Sequence, residues 1–260
     1  MTTTMTMMKK MNKNIIGIIG GTGLEKSNIL ENQSSQVITT SFGEPSSPII
    51  TGSICGKQVA IVSRHGLEHT ITPSNVNYRA NIMALKKLGC KDVIATTACG
   101  SLREEIAPGY FAVPDQFIDF TRHRINTFYE EFEPGNMVHC PMAHPYNDRL
   151  REILINATKA QNASVHDEAT IITIEGPRFS SKAESKMFRL WGADLINMTT
   201  ATETALANEA GLNYALLSIA TDYDCWKDDE KPVSLEMILE NFKKSVDVMQ
   251  KILVEAIKNI

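Results

Sequence analysis

The feature that most constrains the fold is the stretch at 195–226, where two apolar runs bracket a helix-forming segment and end in two carboxylates. Leu195-Ile196-Asn197-Met198 reads as the end of a short buried strand, and Thr199-Thr200 stands where a following helix is capped. Residues 201–210 are rich in Ala, Leu and Glu, good helix formers, and Gly211 supplies the stop. The next run, 214–220, is apolar nearly throughout, as a strand covered on both faces by helices must be. The unit is therefore βαβ, and it predicts an α/β domain. Asp222-Tyr223-Asp224 follows at the carboxyl end of the second strand, the edge at which open α/β sheets bind ligands. On an extended chain these two acids point the same way. An isolated D-x-D is more often a solvated turn; a buried strand before it and Trp226 after it favour a site.

Over 260 residues no Pro/Gly/Ser-rich linker appears, so residues 15–260 are expected to form one domain, a central mixed β-sheet flanked by helices. The opening MTTTMTMMKKMNKN, residues 1–14, has no apolar signal core and is expected to be a disordered tail. A net charge of −4 gives no basic field for nucleic acid, and no run approaches the roughly 18 apolar residues of a membrane span. Five cysteines without C-x-x-C spacing suggest free thiols in a reducing, cytoplasmic setting.

Along the chain, 15–19 is a β-branched strand running into Gly20-Gly21-Thr22-Gly23, a turn whose bare backbone suits an anion and equally suits a plain tight turn. Residues 52–62 read as a hairpin that delivers Arg64 and His65, a cation and an imidazole suited to an oxyanion. His65-Gly66-Leu67-Glu68-His69 also matches the zinc-peptidase pattern H-x-x-E-H, but Gly66 and the β-branched run to Pro73 disfavour the helix it needs, so no metal is expected. A helix is expected from Pro73 or Ser74 to Leu88, then a buried strand at 92–96 followed by small residues, Thr97-Ala98-Cys99-Gly100-Ser101, at its carboxyl end. Small residues there fit either exposed backbone donors or close packing. Cys99 lacks a neighbouring base and reads as a buried thiol. Further on come a strand at 111–120, a long irregular stretch at 121–145, a helix at 145–161, a strand at 169–174 and the loop Glu175-Gly176-Pro177-Arg178-Phe179. Phe179 offers either a core plug or a flat face for a purine, with Ser180 reaching the base edge. A helix from Pro232 carries Leu235, Ile238, Phe242, Val246, Met249, Leu253 and Ile257 on one stripe, and the charged loop at 227–231 before it reads as solvated surface or a lid.

Seven of these motifs in this order resemble the trimeric purine nucleoside phosphorylase family: Gly20-Gly21-Thr22-Gly23, Arg64-His65-Gly66, the run from Pro73 to Asn81, Thr96-Thr97-Ala98-Cys99-Gly100-Ser101-Leu102, Glu175-Gly176-Pro177-Arg178-Phe179-Ser180-Ser181, Asn197-Met198-Thr199-Thr200 and Asp222-Tyr223-Asp224. The resemblance implies that Thr22, Arg64, His65, Thr97, Ala98 and Thr199 hold inorganic phosphate, a co-substrate, with no cofactor. It implies that Met198 backs the sugar with Ile196 close by; cleavage of the glycosidic bond calls for an acid at the purine N7, for which Asp222 is the candidate, with Asp224 either orienting it or accepting from the exocyclic amine. Members acting on 6-oxopurines carry Asn and Glu where this chain has Asp222 and Ser180, so the implied reaction is S-methyl-5'-thioadenosine plus phosphate giving adenine and 5-methylthioribose 1-phosphate, in purine and methionine salvage. The family further implies a homotrimer with shared sites, with His139 reaching a neighbour's sugar 5' end, in the cytoplasm and, in a eukaryote, also the nucleus. Two departures stand out. Thr202 replaces the Pro usual before Glu203, and Leu235 replaces a smaller Val that shapes specificity at the 5' pocket.

Overall fold

The computed structural model describes residues 14–21, 29–229 and 234–260, without the side chains of Leu235, Leu239 and Lys244. Its first half runs β1 (Ile15–Gly20), β2 (Glu31–Gln36), β3 (Ile49–Ile54), β4 (Lys57–Ser63), α1 (Tyr78–Lys87), β5 (Cys90–Ser101), β6 (Phe111–Ala112) and β7 (Gln116–Phe120). The second half runs α2 (Asp148–Ala160), β8 (Val165–His166), β9 (Thr170–Ile174), α3 (Lys182–Leu190), β10 (Leu195–Asn197), α4 (Thr200–Glu209), β11 (Asn213–Asp222) and α5 (Leu235–Asn259). These strands form one mixed sheet flanked by helices, the α/β single domain that the βαβ pattern predicts.

Apolar side chains alternate across the central strands. Ile94, Ala215, Leu217 and Ile219 face α2 and α5, meeting Leu150, Leu154, Phe242, Met249 and Leu253, while Val93, Ala95, Leu216 and Tyr214 face the side of α1 and α4. Both faces are covered, which is why the 214–220 run is apolar without alternation. The C-terminal stripe is core in the same way, for Phe242, Met249, Leu253 and Ile257 are buried. Helix α4 is buried nearly all round, from Thr200 to Ala207.

Strand β5 organises the site. It pairs in parallel with β1 through Ala95 on one edge and with β11 through Gly100 on the other. At Gly100 and Ser101 the β1 edge is taken over, antiparallel, by β10, through Ile196 and Leu195. Between Ala95 and Gly100 that edge has no strand beside it, and the sheet opens.

Four local expectations are corrected. The helix expected from Pro73 starts at Tyr78: Pro73–Asn75 is a single 3-10 turn, Val76 is extended, and the Asn77 side chain caps the true start by accepting from Ala80 N–H, a cap of about 1 kcal/mol. The strand expected at 92–96 is longer, running from Cys90 through the small residues 97–101 to Ser101, held there by ladders to β11 and β10. The strand expected at 111–120 is two, since Pro114 lacks an N–H and the chain crosses from β11 to β9 around it. The helix expected at 145–161 begins at Asp148, where the Asn147 side chain accepts from Leu150 N–H. The H-x-x-E-H run forms turns rather than a helix, with Gly66 at φ +80° and His69 at φ +53°. Strand β2 and helix α3 were not legible beforehand. The expected tail at 1–14 lies outside the described residues but for Asn14.

Candidate active site

The opening beside β5 is the mouth of a cavity of about 420 Å³. Its floor is Thr97, Ala98, Cys99 and Gly100 of β5. Its walls are Gly21 after β1, Arg64 and His65 after β4, Ile174 and the 177–180 loop after β9, Ile196–Thr199 around the end of β10, and Thr221, Asp222 and Asp224 at the end of β11. These walls are carboxyl ends of strands, the place where an α/β sheet leaves backbone polar groups unpaired; the 69–73 turn and Ile238 of α5 complete the lining.

At one end stand the two acids. Asp222 closes β11, and its carboxylate accepts from the Thr221 hydroxyl (2.8 Å) and from the backbone N–H of Asp224 (2.8 Å). The acids do not converge by strand alternation, as an extended chain would place them. The chain turns at Tyr223, and Asp224 sits at φ +49° at the start of a 3-10 turn that Trp226 anchors, its indole N–H donating to the Ser101 carbonyl (2.8 Å). Burial pushes the Asp222 carboxyl up to about 6, against the hydrogen bonds from Thr221 and Asp224 N–H and with help from the Asp224 charge. Burial raises Asp224 too, although the Ser180 hydroxyl lies 2.9 and 2.8 Å from its two oxygens. Gly100 makes room for the pair: a Cβ there would lie 3.1 Å from Asp222 Oδ1 and 2.9 Å from Ile196 Cγ2. Phe179 is partly exposed at the cavity rim rather than plugging the core.

The other end is cationic. Arg64 is buried and bonds Glu203 with two nitrogens, Nε to Oε1 (2.5 Å) and Nη2 to Oε2 (2.8 Å), while Nη1 donates to the Thr96 carbonyl (2.9 Å). Burial works against its charge and the Glu203 carboxylate more than restores it, so its pKa lies above the ordinary arginine value. His65 Nδ1 lies 2.8 Å from the Ile71 carbonyl, and its ring stacks on His69 at 4.5 Å. Thr199 lines the cavity at the start of α4 and makes no capping bond there, while the Ala201 N–H of the first turn donates to Thr173 Oγ1 (3.0 Å).

Met198 and Ile196 also line the cavity, Ile196 against Gly100 beside Asp222. Met198 is fixed from behind by Arg124, which donates from Nη1 to the Met198 carbonyl (2.7 Å) and the Tyr78 hydroxyl (2.8 Å), and from Nε and Nη2 to Glu175. Glu175 also accepts the backbone N–H groups of Arg122 and His123, so its carboxylate is held below the usual range by these bonds and by Arg124 despite the desolvation that burial brings. Gly176, at φ +65°, passes so close that a Cβ there would lie 2.6 Å from Met198 Sδ.

Of the residues singled out in the sequence, Arg64, His65, Thr97, Ala98, Phe179, Ser180, Ile196, Met198, Thr199, Asp222 and Asp224 meet in this one cavity. Thr22 lies outside the described residues, as does the side chain of Leu235; Ile238, one turn on, does line the cavity. His139 is on the surface against Phe132 and does not reach the cavity of its own chain. The charged loop at 227–231, read as solvated surface or a lid, is described only to Asp229; there Lys227 pairs with Glu104 at 2.8 Å and Asp228 with Lys182. Among the described residues no group of three or more His, Cys, Asp or Glu side chains could hold a metal ion. Cys99 is a buried thiol held well above its ordinary pKa by burial, donating to the Ile219 carbonyl. Sequence reasoning missed Glu203, Arg124, Glu175 and Tyr214. The one signal for Glu203 was an acid set among small residues in a helix otherwise buried all round.

Comparison with known proteins places this geometry among relatives. The family model described as Phosphorylase superfamily matches residues 15–258. An S-methyl-5'-thioadenosine phosphorylase of Drosophila melanogaster is 52% identical over 247 residues, covering 94% of this chain and 86% of the relative. One from Xenopus tropicalis is 51% identical over 249 residues, covering 94% and 88%. Methylthioadenosine phosphorylase from Schistosoma mansoni in complex with adenine superposes with a TM-score of 0.90 at 43% identity, covering 95% of this chain and 91% of that one. A mutant of the Schistosoma mansoni adenosine/methylthioadenosine phosphorylase, in complex with methylthioadenosine, gives 0.89 at 43% identity with the same coverage.

Proposed function

The chain belongs to the phosphorylase superfamily, and on that premise we propose that its cavity carries out the phosphorolysis of S-methyl-5'-thioadenosine to adenine and 5-methylthioribose 1-phosphate. The observation that carries this reading is the pairing of opposites in one cavity: a buried carboxyl able to keep its proton to about pH 6 at one end and an arginine fork at the other.

The bond from the sugar C1' to the purine N9 breaks as a phosphate oxygen bonds to C1', and the departing purine takes the electron pair. Asp222, protonated in its dry pocket, gives its proton to N7, so the base leaves neutral; the proton that phosphate loses on bonding to C1' restores Asp222 through solvent. Asp224, held by Ser180, accepts from the exocyclic amine of a 6-aminopurine and stacks the preference toward adenine over a 6-oxo base. Phe179 covers the base and Met198 and Ile196 back the sugar; Leu235, whose side chain lies outside the described residues, stands in sequence where the family pattern has its 5'-pocket residue. Arg64, His65, Thr97, Ala98 and Thr199, with Thr22 from the loop outside the described residues, hold phosphate below C1'; the start of α4 adds a favourable dipole. Inorganic phosphate is a co-substrate, and no resident cofactor enters these steps.

The working unit in this proposal is a homotrimer with shared sites. Ile125, Phe132 and Met137 are apolar and exposed in the irregular 121–145 stretch, as a surface that a neighbour covers would be, and His139 lies among them. No described helix is long and apolar enough to cross a membrane; a cytoplasmic salvage enzyme, also nuclear in a eukaryote, completes the reading. The test is release of adenine from S-methyl-5'-thioadenosine with and without phosphate, alongside adenosine and inosine. Phosphate-dependent release fastest with the methylthio substrate is expected; equal rates on inosine would make it a broad purine nucleoside phosphorylase, and tight binding without turnover a nucleoside-binding module.

A further inference from the structure

The Arg64–Glu203 pair is nearly absent from solvent, at 1% and 0% exposure of the two side chains. A buried ion pair gains little net stability over apolar side chains of the same volume, because both charges must leave water. Stability is therefore a weak reason for its presence, and geometry is a stronger one. Glu203 does not line the cavity, yet it takes the Nε and Nη2 donors of the guanidinium from behind, and the Thr96 carbonyl takes a third from Nη1. A planar guanidinium has five N–H groups in a fixed fork, so fixing three fixes the direction of the remaining two, one on each Nη. Nη1 faces Gly21, lying 2.9 Å from where a Cβ of that residue would stand, on the side where β1 ends and the sheet opens. Glu203 is itself held: Tyr214 donates its hydroxyl to Oε2 at 3.0 Å from the adjoining strand β11.

From this geometry we infer that Glu203 is a positioning residue for phosphate, acting through Arg64 by aiming the free edge of its guanidinium into the anion site, with Tyr214 as the strut that keeps Glu203 in place. This rests on the reading of Arg64 as a phosphate ligand. Its chemistry is orientation rather than attraction, since the Glu203 charge taken alone disfavours an anion. A shorter carboxylate, with the charge kept and the reach reduced by one methylene, therefore weakens phosphate binding, whereas a pure charge effect would leave it unchanged.

The experiment measures KM for phosphate and KM for the nucleoside separately in the full-length enzyme carrying Glu203→Asp, Glu203→Gln, Tyr214→Phe or Arg64→Lys, with titration calorimetry of inorganic phosphate on the nucleoside-free protein. Glu203→Asp is expected to raise the phosphate KM by about tenfold or more, with nucleoside KM changed less than twofold. Tyr214→Phe, which removes one hydrogen bond and leaves the ring in place, shifts it the same way by about two- to fivefold and carries the test if the Glu203 variants do not fold. A fall in phosphate KM in Glu203→Gln with no change in Glu203→Asp would reduce Glu203 to a charge effect and overturn the inference. Parallel loss of both substrates, tracking thermal stability, would make it merely structural and overturn it equally. Arg64→Lys separates the premise: if it leaves phosphate KM unchanged, the Arg64 reading fails first; if it raises that KM while Glu203→Asp and Tyr214→Phe are silent, only the inference fails.

Discussion

The backbone N–H of Asp224 donates to Oδ1 of Asp222 across 2.8 Å, so the two acids at the end of β11 are joined through main chain while their carboxylates keep separate partners. Asp222 has Thr221, Asp224 has Ser180, and the two groups are free to hold different protonation states.

Asp222→Asn keeps the bond from the Asp224 N–H and turns the one with Thr221 round, the amide now donating to the hydroxyl oxygen, but it has no acidic proton to transfer to N7. Turnover on S-methyl-5'-thioadenosine is expected to fall by about 10²- to 10⁴-fold. With a 6-oxopurine the amide still donates to the departing anion, so the loss on inosine is smaller. The measurement is the ratio of kcat/KM for the two substrates in mutant and parent; equal losses would move Asp222 to a structural role.

The same carboxyl makes stability depend on pH. Its folded pKa of about 6 lies above the ordinary 3.8, so the folded state holds the proton more tightly than the unfolded chain. The stabilising contribution is complete below about pH 4 and is lost as pH rises through 6, a change of about 3 kcal/mol. Asp222→Asn carries no such term. Chemical denaturation should find it more stable than the parent at pH 8 and level with it near pH 4. Loss of the catalytic proton over the same range gives kcat/KM a descending limb above about pH 6, absent in the mutant.

Gly100→Ala tests how tightly the acids are seated. The added methyl would meet Ile196 Cγ2 at 2.9 Å and Asp222 Oδ1 at 3.1 Å, so the acids or β10 must shift. A loss of at least about tenfold in kcat/KM is expected. Thermal unfolding and an assay at saturating phosphate separate displacement of the acids from unfolding.

Arg124→Lys removes the planar fork that ties the Met198 carbonyl, Tyr78 and Glu175 together, and a lysine cannot reach all three. The expected result is a nucleoside KM higher by about tenfold with phosphate KM nearly unchanged. A change confined to phosphate would contradict the place given to Arg124 behind the sugar.

Met137→Asp and Ile125→Asp put charge on exposed apolar positions of the 121–145 stretch. Sedimentation should show the parent as a trimer and the variants shifted to smaller species with reduced activity. A fully active monomer would remove the shared site.

Local sequence was sufficient for the frame of this protein. The unbroken apolar run of β11, the Ala-rich α4 before it and the acids after it are legible because burial on both faces of a parallel strand leaves no room for polar alternation. The C-terminal stripe is legible because 3.6-residue periodicity records which face of a helix is covered. Strand β2 is not, since its six residues ENQSSQ are all exposed and become a strand only through pairing with β3. Tertiary structure alone decided the partners. Arg64 meets Glu203 across 139 positions, Ser180 meets Asp224 across 44, and Gly100 stands opposite both Ile196 and Asp222 because β10 pairs with β5 there on one edge and β11 on the other. Periodicity states that a side chain is buried; only the register of strands and the packing of helices states what it is buried against, and the chemistry of this cavity depends on those partners.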